Sequence, residues 1–282
     1  MIKVKKGASP AVLTGTNCRA KVRENIQNQD FKGSYYNKPT VREALEVAHH
    51  GKCCYCEVKI RPVATPQVEH YRPKNTLKDD TSHAGYYWLG HEWENLLLAC
   101  PTCNIAKNSW FPIAGNRVRS PRLQSDGDQV PLSLPHDQSP LLDEQALIIN
   151  PEYDPNPSDH FTFEPEGTIQ GETDQGKETI KRCKLDRDAL TIARKQVVDD
   201  ALRNLNVFFV GYIEGKIEKE GLKFLLSQWF EKLTEALQAN FPYAAFRRFG
   251  FQQFERFYLG QVLPIQRPLL KAAYDHFISH PS

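Results

Sequence analysis

No uncharged stretch of this chain is long enough to cross a bilayer. The longest runs, such as 95–106, hold about a dozen residues against the roughly 18–20 that a span requires. The basic start Met1-Ile2-Lys3-Val4-Lys5-Lys6-Gly7 is followed by neither an apolar stretch nor a small-residue cleavage site, so no secretory leader is expected. A glycine-rich loop ending in Lys-Ser/Thr is missing too, which argues against nucleotide hydrolysis by the chain itself. There is no internal repeat. Cysteine is odd in number, at seven, and without a leader this argues against a disulfide framework. Together these absences predict a soluble, cytoplasmic protein with no membrane partner.

At 282 residues, 40% hydrophobic and 25% charged, the composition is that of one large or two modest globular domains. The net charge of +2 is unevenly spread. Residues 1–112 carry 16 basic and 10 acidic side chains, 113–177 carry 4 and 12, and 178–282 carry 16 and 12. Positive potential therefore lies in the first and last thirds, which permits a polyanionic partner without requiring one.

The chain reads as four regions. Residues 1–39 form a basic N-terminal arm. Residues 40–112 begin with a helix over Pro39-Thr40 to Gly51, with Val41, Ala44, Leu45 and Ala48 at helical spacing, and continue into a stretch rich in Cys, His, Trp and Tyr. Residues 113–176 form an acidic connector with prolines at 121, 131, 135, 140, 151 and 155, and a small hairpin at Phe161-Thr162-Phe163 and Thr168-Ile169. Residues 177–282 read as helical and are the candidate partner-docking region. A long amphipathic helix is expected through Leu185, Leu190, Val198 and Leu202, and another over Leu222–Leu237, with Pro242 and Pro264 limiting the last helical segments. Phe246, Phe249, Phe254, Phe257 and Tyr258 recur at the spacing of a helix face that packs in a core or against a protein partner, rather than stacking on bases.

Cys53-Cys54-Tyr55-Cys56 and Cys100-Pro101-Thr102-Cys103 each offer two corners of a tetrahedron. Four thiolates at this spacing predict a closed, structural Zn2+ site of Cys53, Cys56, Cys100 and Cys103. Cys54 is an alternative to Cys53, although the two-residue spacer favours Cys53. Cys18 and Cys183 stand alone and are expected as buried thiols. His91-Glu92-Trp93-Glu94-Asn95 begins like a zinc-protease helix, but Asn95 stands where the second histidine is needed. His49-His50 at a helix end suits a capping role.

Between the cysteine pairs lie Val68-Glu69-His70-Tyr71-Arg72-Pro73-Lys74 and Trp93-Glu94-Asn95-Leu96, and the second pair runs into Asn104-Ile105-Ala106-Lys107. This order resembles the HNH endonucleases with a zinc-bound ββα-metal core. The runs CCYCE, VEHYRPK and WLGHEWENLLLACPTCNIAKNSWFP resemble the HNH proteins of Septu and retron-associated anti-phage systems more closely. The likeness extends through Asn150-Pro151 and Gly167-Thr168-Ile169 to Leu185-Asp186-Arg187.

The resemblance implies an α+β fold: a zinc-stapled ββα-metal domain, then a Pro-rich connector with a small hairpin, then a C-terminal α-helical region. It implies His70 as general base, since imidazole titrates near neutrality. It also implies Glu69 and Asn104 as ligands of a catalytic Mg2+ or Mn2+, and Asn95 as the residue that orients the histidine loop. Many members carry aspartate at the position of Glu69 and histidine at that of Asn104. Lys107, three residues after Asn104 on a helix, is a candidate phosphate contact, as are Arg72 and Lys74 beside the histidine. The family further implies an ABC/SMC-like ATPase partner, in some systems with a retron reverse transcriptase and its RNA–DNA product. DNA is the favoured substrate. The alternatives are cleavage of RNA such as tRNA, or a non-catalytic zinc module that binds nucleic acid or protein.

Overall fold

The computed structural model describes residues 1–119 and 141–280. Prolines 121, 131, 135 and 140 of the expected connector lie outside the described residues. The chain divides into two compact units, Met1–Phe161 with Gln170–Leu185, and Thr162–Ile169 with Asp186–Ser282. The first unit unites the expected arm, the cysteine-rich stretch and much of the connector.

In the first unit the order is α1 (Ala11–Thr14), α2 (Thr16–Asn28), α3 (Pro39–Ala48), β1 (Gln67–His70), β2 (Leu96–Ala99) and α4 (Pro101–Lys107). After the connector come β3 (Phe161–Phe163) and β4 (Ile169–Gly171), whose residues are divided between the two units, and then α5 (Asp174–Cys183) of the first unit. Pro39 at the first helical position starts α3, where its missing N–H costs nothing, and Val41 and Leu45 bury its inner face. β1 and β2 pair antiparallel, with Glu69 opposite Leu97 and His70 opposite Leu96. Every residue of β2 is buried, so this strand is the floor on which the rest of the unit is laid.

The expected N-terminal arm is a packed part of this unit. Met1, Ile2 and Val4 are buried, and Val4 N–H donates to Pro151 O at 2.8 Å. Lys6 pairs with Glu152 at 2.8 Å and also donates to the carbonyls of Trp93 and Leu96. A basic stretch reads as a solvated arm when its partners are distant in sequence, and here they lie roughly 90 to 150 residues away.

The second unit holds α6 (Asp188–Ile213), α7 (Lys219–Glu235), α8 (Ala244–Gln252), α9 (Phe254–Phe257) and α10 (Arg267–Ser279). The expected long helix through Leu185 is two helices. Lys184 adopts a left-handed conformation at the end of α5, and Leu185 lies in the turn before α6. The expected hairpin turns at Gly167, whose φ of +88° suits glycine and where a Cβ would come 2.1 Å from Thr191 O. Phe246, Phe254, Phe257 and Tyr258 are buried, with Phe254 stacked on Tyr274 at 3.9 Å. That aromatic face is core, so it is not free to dock a partner. Among the described residues, no helix is long and apolar enough to cross a membrane.

Candidate functional site

Two features meet on the β1–β2–α4 frame of the first unit. The first is the cysteine cluster. Cys53–Cys56 form a tight turn in which Glu57 N–H donates to Cys53 O and Cys53 N–H to Val58 O, both at 3.0 Å. Cys54 N–H donates to Leu98 O at 2.8 Å, which ties the turn to β2. Cys100 caps α4, its sulfur accepting from Cys103 N–H at 3.5 Å. The sulfurs of Cys53, Cys56, Cys100 and Cys103 all lie within 4.8 Å of one another and are buried, with Cys54 outside the group.

A tetrahedral Zn2+ with bonds near 2.3 Å needs sulfurs about 3.8 Å apart. Cys56 and Cys100 are 3.8 Å apart, so this donor set fits a metal such as zinc. Burial drives the Cys53 thiol well up, and neighbouring thiols do the same to Cys56 and Cys103. Cys100, hydrogen-bonded by Cys103, Cys53 and Cys56, is held well below the ordinary thiol value. The cluster thus already favours one thiolate, and a dication would deprotonate the others. Cys18 and Cys183 are buried outside the group of four; burial lifts Cys18 to about 11.

The second feature is a cleft of about 330 Å³ whose lining includes Glu69, His70, Lys74, Asn104 and Asn108. Alternation along a strand would send Glu69 and His70 to opposite faces, but β1 ends at His70 and both line the cleft. His70 Nε2 lies 3.0 Å from Gly90 O. A carbonyl only accepts, so this contact assigns the proton to Nε2 and leaves the lone pair on Nδ1. Burial, and then the charge of Lys74, holds the imidazole well below its ordinary value, so the ring is neutral near pH 7. Lys74 Nζ is 3.4 Å from Nδ1 and lies over the Tyr36 ring at 4.3 Å.

Asn95 is buried at the hinge of the site. Its side-chain oxygen accepts from Arg72 N–H at 2.7 Å, and its amide donates to Arg72 O at 2.9 Å and Leu89 O at 3.1 Å. Asn104 donates its amide to Gln67 Oε1 at 2.6 Å. Its carbonyl oxygen and the Glu69 carboxylate bring two hard-oxygen donors to one cleft.

Two expected phosphate contacts are corrected. Arg72 is buried and pairs with Glu144 at 2.7 Å, also donating to Leu141 O at 2.9 Å. Lys107 is fully buried beneath the cleft, its Nζ 2.6 Å from Glu69 Oε1 and 3.0 Å from His70 O. Arg72 in the bend after β1 and Lys107 in α4 both turn inward, where a buried cation needs a carboxylate. Lys74 is the expected phosphate contact that lines the cleft.

Sequence reasoning missed several residues. Tyr55 O–H donates to Glu69 at 3.3 Å. Glu144 accepts from Arg72, from Tyr86 O–H at 2.5 Å and from Val118 N–H at 3.0 Å. Phe31 and Tyr36 pack their rings 6.1 and 4.6 Å from that of His70, and His91 holds their segment through Lys32 O at 3.2 Å and Tyr36 N–H at 3.4 Å. Tyr55 and His91 lie within the runs that carry the family resemblance, but no motif or periodicity marks Phe31, Tyr36, Tyr86 or Glu144.

No family model matches the chain. It is 32% identical over 218 residues to the Septu protein PtuB of Bacillus mycoides (strain KBAB4), covering 71% of this chain and 68% of that one. It is 25% identical over 225 residues to the Septu protein PtuA of the same strain, covering 74% of this chain and 29% of PtuA. A Septu protein PtuB of Bacillus thuringiensis is 32% identical over 110 residues, 39% of this chain and 38% of that protein. With about a third of its residues identical to the first of these across more than two thirds of both chains, this protein belongs to the Septu PtuB family.

Proposed function

We propose that this chain is a metal-dependent HNH endonuclease that hydrolyses phosphodiester bonds of nucleic acid, DNA in preference, in a Septu anti-phage defence system. The observation that carries the reading is the state of His70: a neutral ring, its proton fixed on Nε2 by Gly90 O, in a cleft shared with Glu69, Asn104 and Lys74. That is the arrangement a general base requires.

In this reading Nδ1 of His70 takes a proton from water as the water oxygen attacks phosphorus. The bond from phosphorus to the 3′-oxygen breaks, and that oxygen takes a proton from solvent, giving a 5′-phosphate and a 3′-hydroxyl. The contact of Lys74 with Nδ1 is long, and a phosphate entering the cleft draws that ammonium to itself, freeing the lone pair. Asn95 holds the loop after His70 against the segment that supplies Gly90, and so keeps the ring in one orientation. Glu69 and Asn104 would hold the Mg2+ or Mn2+, which supplies neutralisation of charge on the phosphate. The zinc site does no hydrolysis; it pins the turn of Cys53–Cys56 to the start of α4.

The Septu names of the relatives support a defence role beside a partner from the same system. We take that partner to be the ABC/SMC-like ATPase, which gates cutting, with a retron reverse transcriptase and its product as a further partner where one is encoded. The test is to incubate zinc-loaded protein, alone and with the co-expressed partner, with duplex DNA and with tRNA in Mg2+ or Mn2+. Cleavage of the duplex leaving 5′-phosphate ends is expected. Cleavage of tRNA alone would move the substrate to RNA, and binding without cleavage of either would reduce the chain to a zinc module.

A further inference from the structure

The charges around the cleft do not add up to a dication site. Among the described residues that line it, Glu69 is the one acid and Lys74 the one base. The Glu69 carboxylate is already matched by the Lys107 ammonium at 2.6 Å. That ammonium is fully buried and also bound to His70 O at 3.0 Å, so it cannot swing out to solvent when another cation arrives. Neither His70 nor Asn104 brings a negative charge to the cleft. The formal charge is therefore zero at the donor atoms, and positive once Lys74 is counted.

Mg2+ gives up its water reluctantly and is held through one or two carboxylates completed by substrate phosphates. A fixed ammonium at hydrogen-bonding distance from the one carboxylate offsets much of the attraction that carboxylate exerts on a second cation. The missing negative charge has to come with the substrate. We infer that the divalent cation and a nucleic-acid phosphate enter this cleft as one cooperative unit, and that Lys107 is the residue that keeps the metal out until the phosphate is present.

This inference rests on the nuclease reading and adds to it a condition for assembly of the site. Coupling between two ligands is reciprocal, so the metal tightens nucleic acid by the same factor as nucleic acid tightens the metal. A chain without its target would then hold structural zinc but no catalytic cation, and would stay idle at cellular Mg2+.

The test is Mn2+ binding, followed by electron paramagnetic resonance of the free ion. The protein is full-length, zinc-loaded and carries His70→Ala so that nothing is cut. Titrations are run without nucleic acid and with a short DNA duplex, corrected for ion held by the duplex alone. At least about a tenfold gain in Mn2+ affinity is expected with the duplex. Adding Lys107→Met, which keeps the length of the side chain and removes its charge, should raise affinity for Mn2+ alone by about as much. Adding Glu69→Gln should abolish the gain with the duplex. If zinc content shows that the Lys107→Met protein has not folded, the comparison with and without duplex decides. Equal Mn2+ affinity under both conditions overturns the inference and leaves the nuclease reading standing. No Mn2+ bound under either condition overturns both.

Discussion

The Asn95 side chain accepts from one backbone N–H and donates to two carbonyls, closing the loop after His70 onto the segment that delivers Gly90. All three partners are buried, so Asn95→Ala leaves them unpaired rather than returning them to water. A loss of about 2–3 kcal/mol of stability is expected in denaturant titration. A fall of at least about tenfold in kcat with little change in KM is expected in cleavage assays, because in the proposed mechanism the residue orients the base without touching substrate. His49 gives a pH signature of a different kind. Its Nδ1 donates to Leu45 O at 2.8 Å, Nε2 accepts from Leu98 N–H at 3.4 Å, and burial lowers its pKa from 6.5 to about 3. Between those values the unfolded chain binds a proton that the folded one refuses, so stability is present above pH 6.5 and declines as pH falls toward 3. From pH 6 to 5 the wild type should lose about 1.2 kcal/mol more than His49→Gln at the same zinc concentration. Parallel declines would show that His49 is not the group responsible.

The elements that the sequence predicts well are those whose signals are local. Pro39 and the spacing of Val41 and Leu45 give α3, and the turn residues before Gly167 give the hairpin, because each rests on neighbours within one or two turns of chain. The break between α5 and α6 escapes the same reasoning. Lys184 takes the left-handed conformation that glycine or asparagine usually marks, and hydrophobic periodicity runs on through Leu185 regardless. The cysteine turn has the strongest local signal, since two pairs at ligand spacing predict the four sulfurs that the fold brings within 4.8 Å. Only the structure decides between Cys53 and Cys54: the backbone N–H of Cys54 is spent on Leu98, and its sulfur lies outside the group. Cys54→Ser should therefore retain one zinc per chain by elemental analysis, while Cys103→Ser should lose it and become protease-sensitive around α4. Zinc loss in Cys54→Ser would contradict the ligand assignment.

At the scale of the whole chain, the features hidden from the sequence are the long-range ones. The motif gives Glu69, His70, Asn95 and Asn104 in order, and the fold brings Glu69, His70 and Asn104 to one cleft. It does not give Glu144, about seventy residues past Arg72, or the Phe31 and Tyr36 rings that wall in His70 from a region whose composition suggests a free arm. The same blindness to tertiary pairing makes Arg72 and Lys107 look like surface cations, when each is matched to a buried carboxylate. The central claim is that hydrolysis is carried by one imidazole on a zinc-pinned frame. The most direct measurement of it is single-turnover cleavage of duplex DNA by wild type and His70→Ala, each with zinc content determined and with the partner present. The account predicts one zinc per chain in both, and a rate at least about a hundredfold lower in the variant. Equal rates at equal zinc would contradict it.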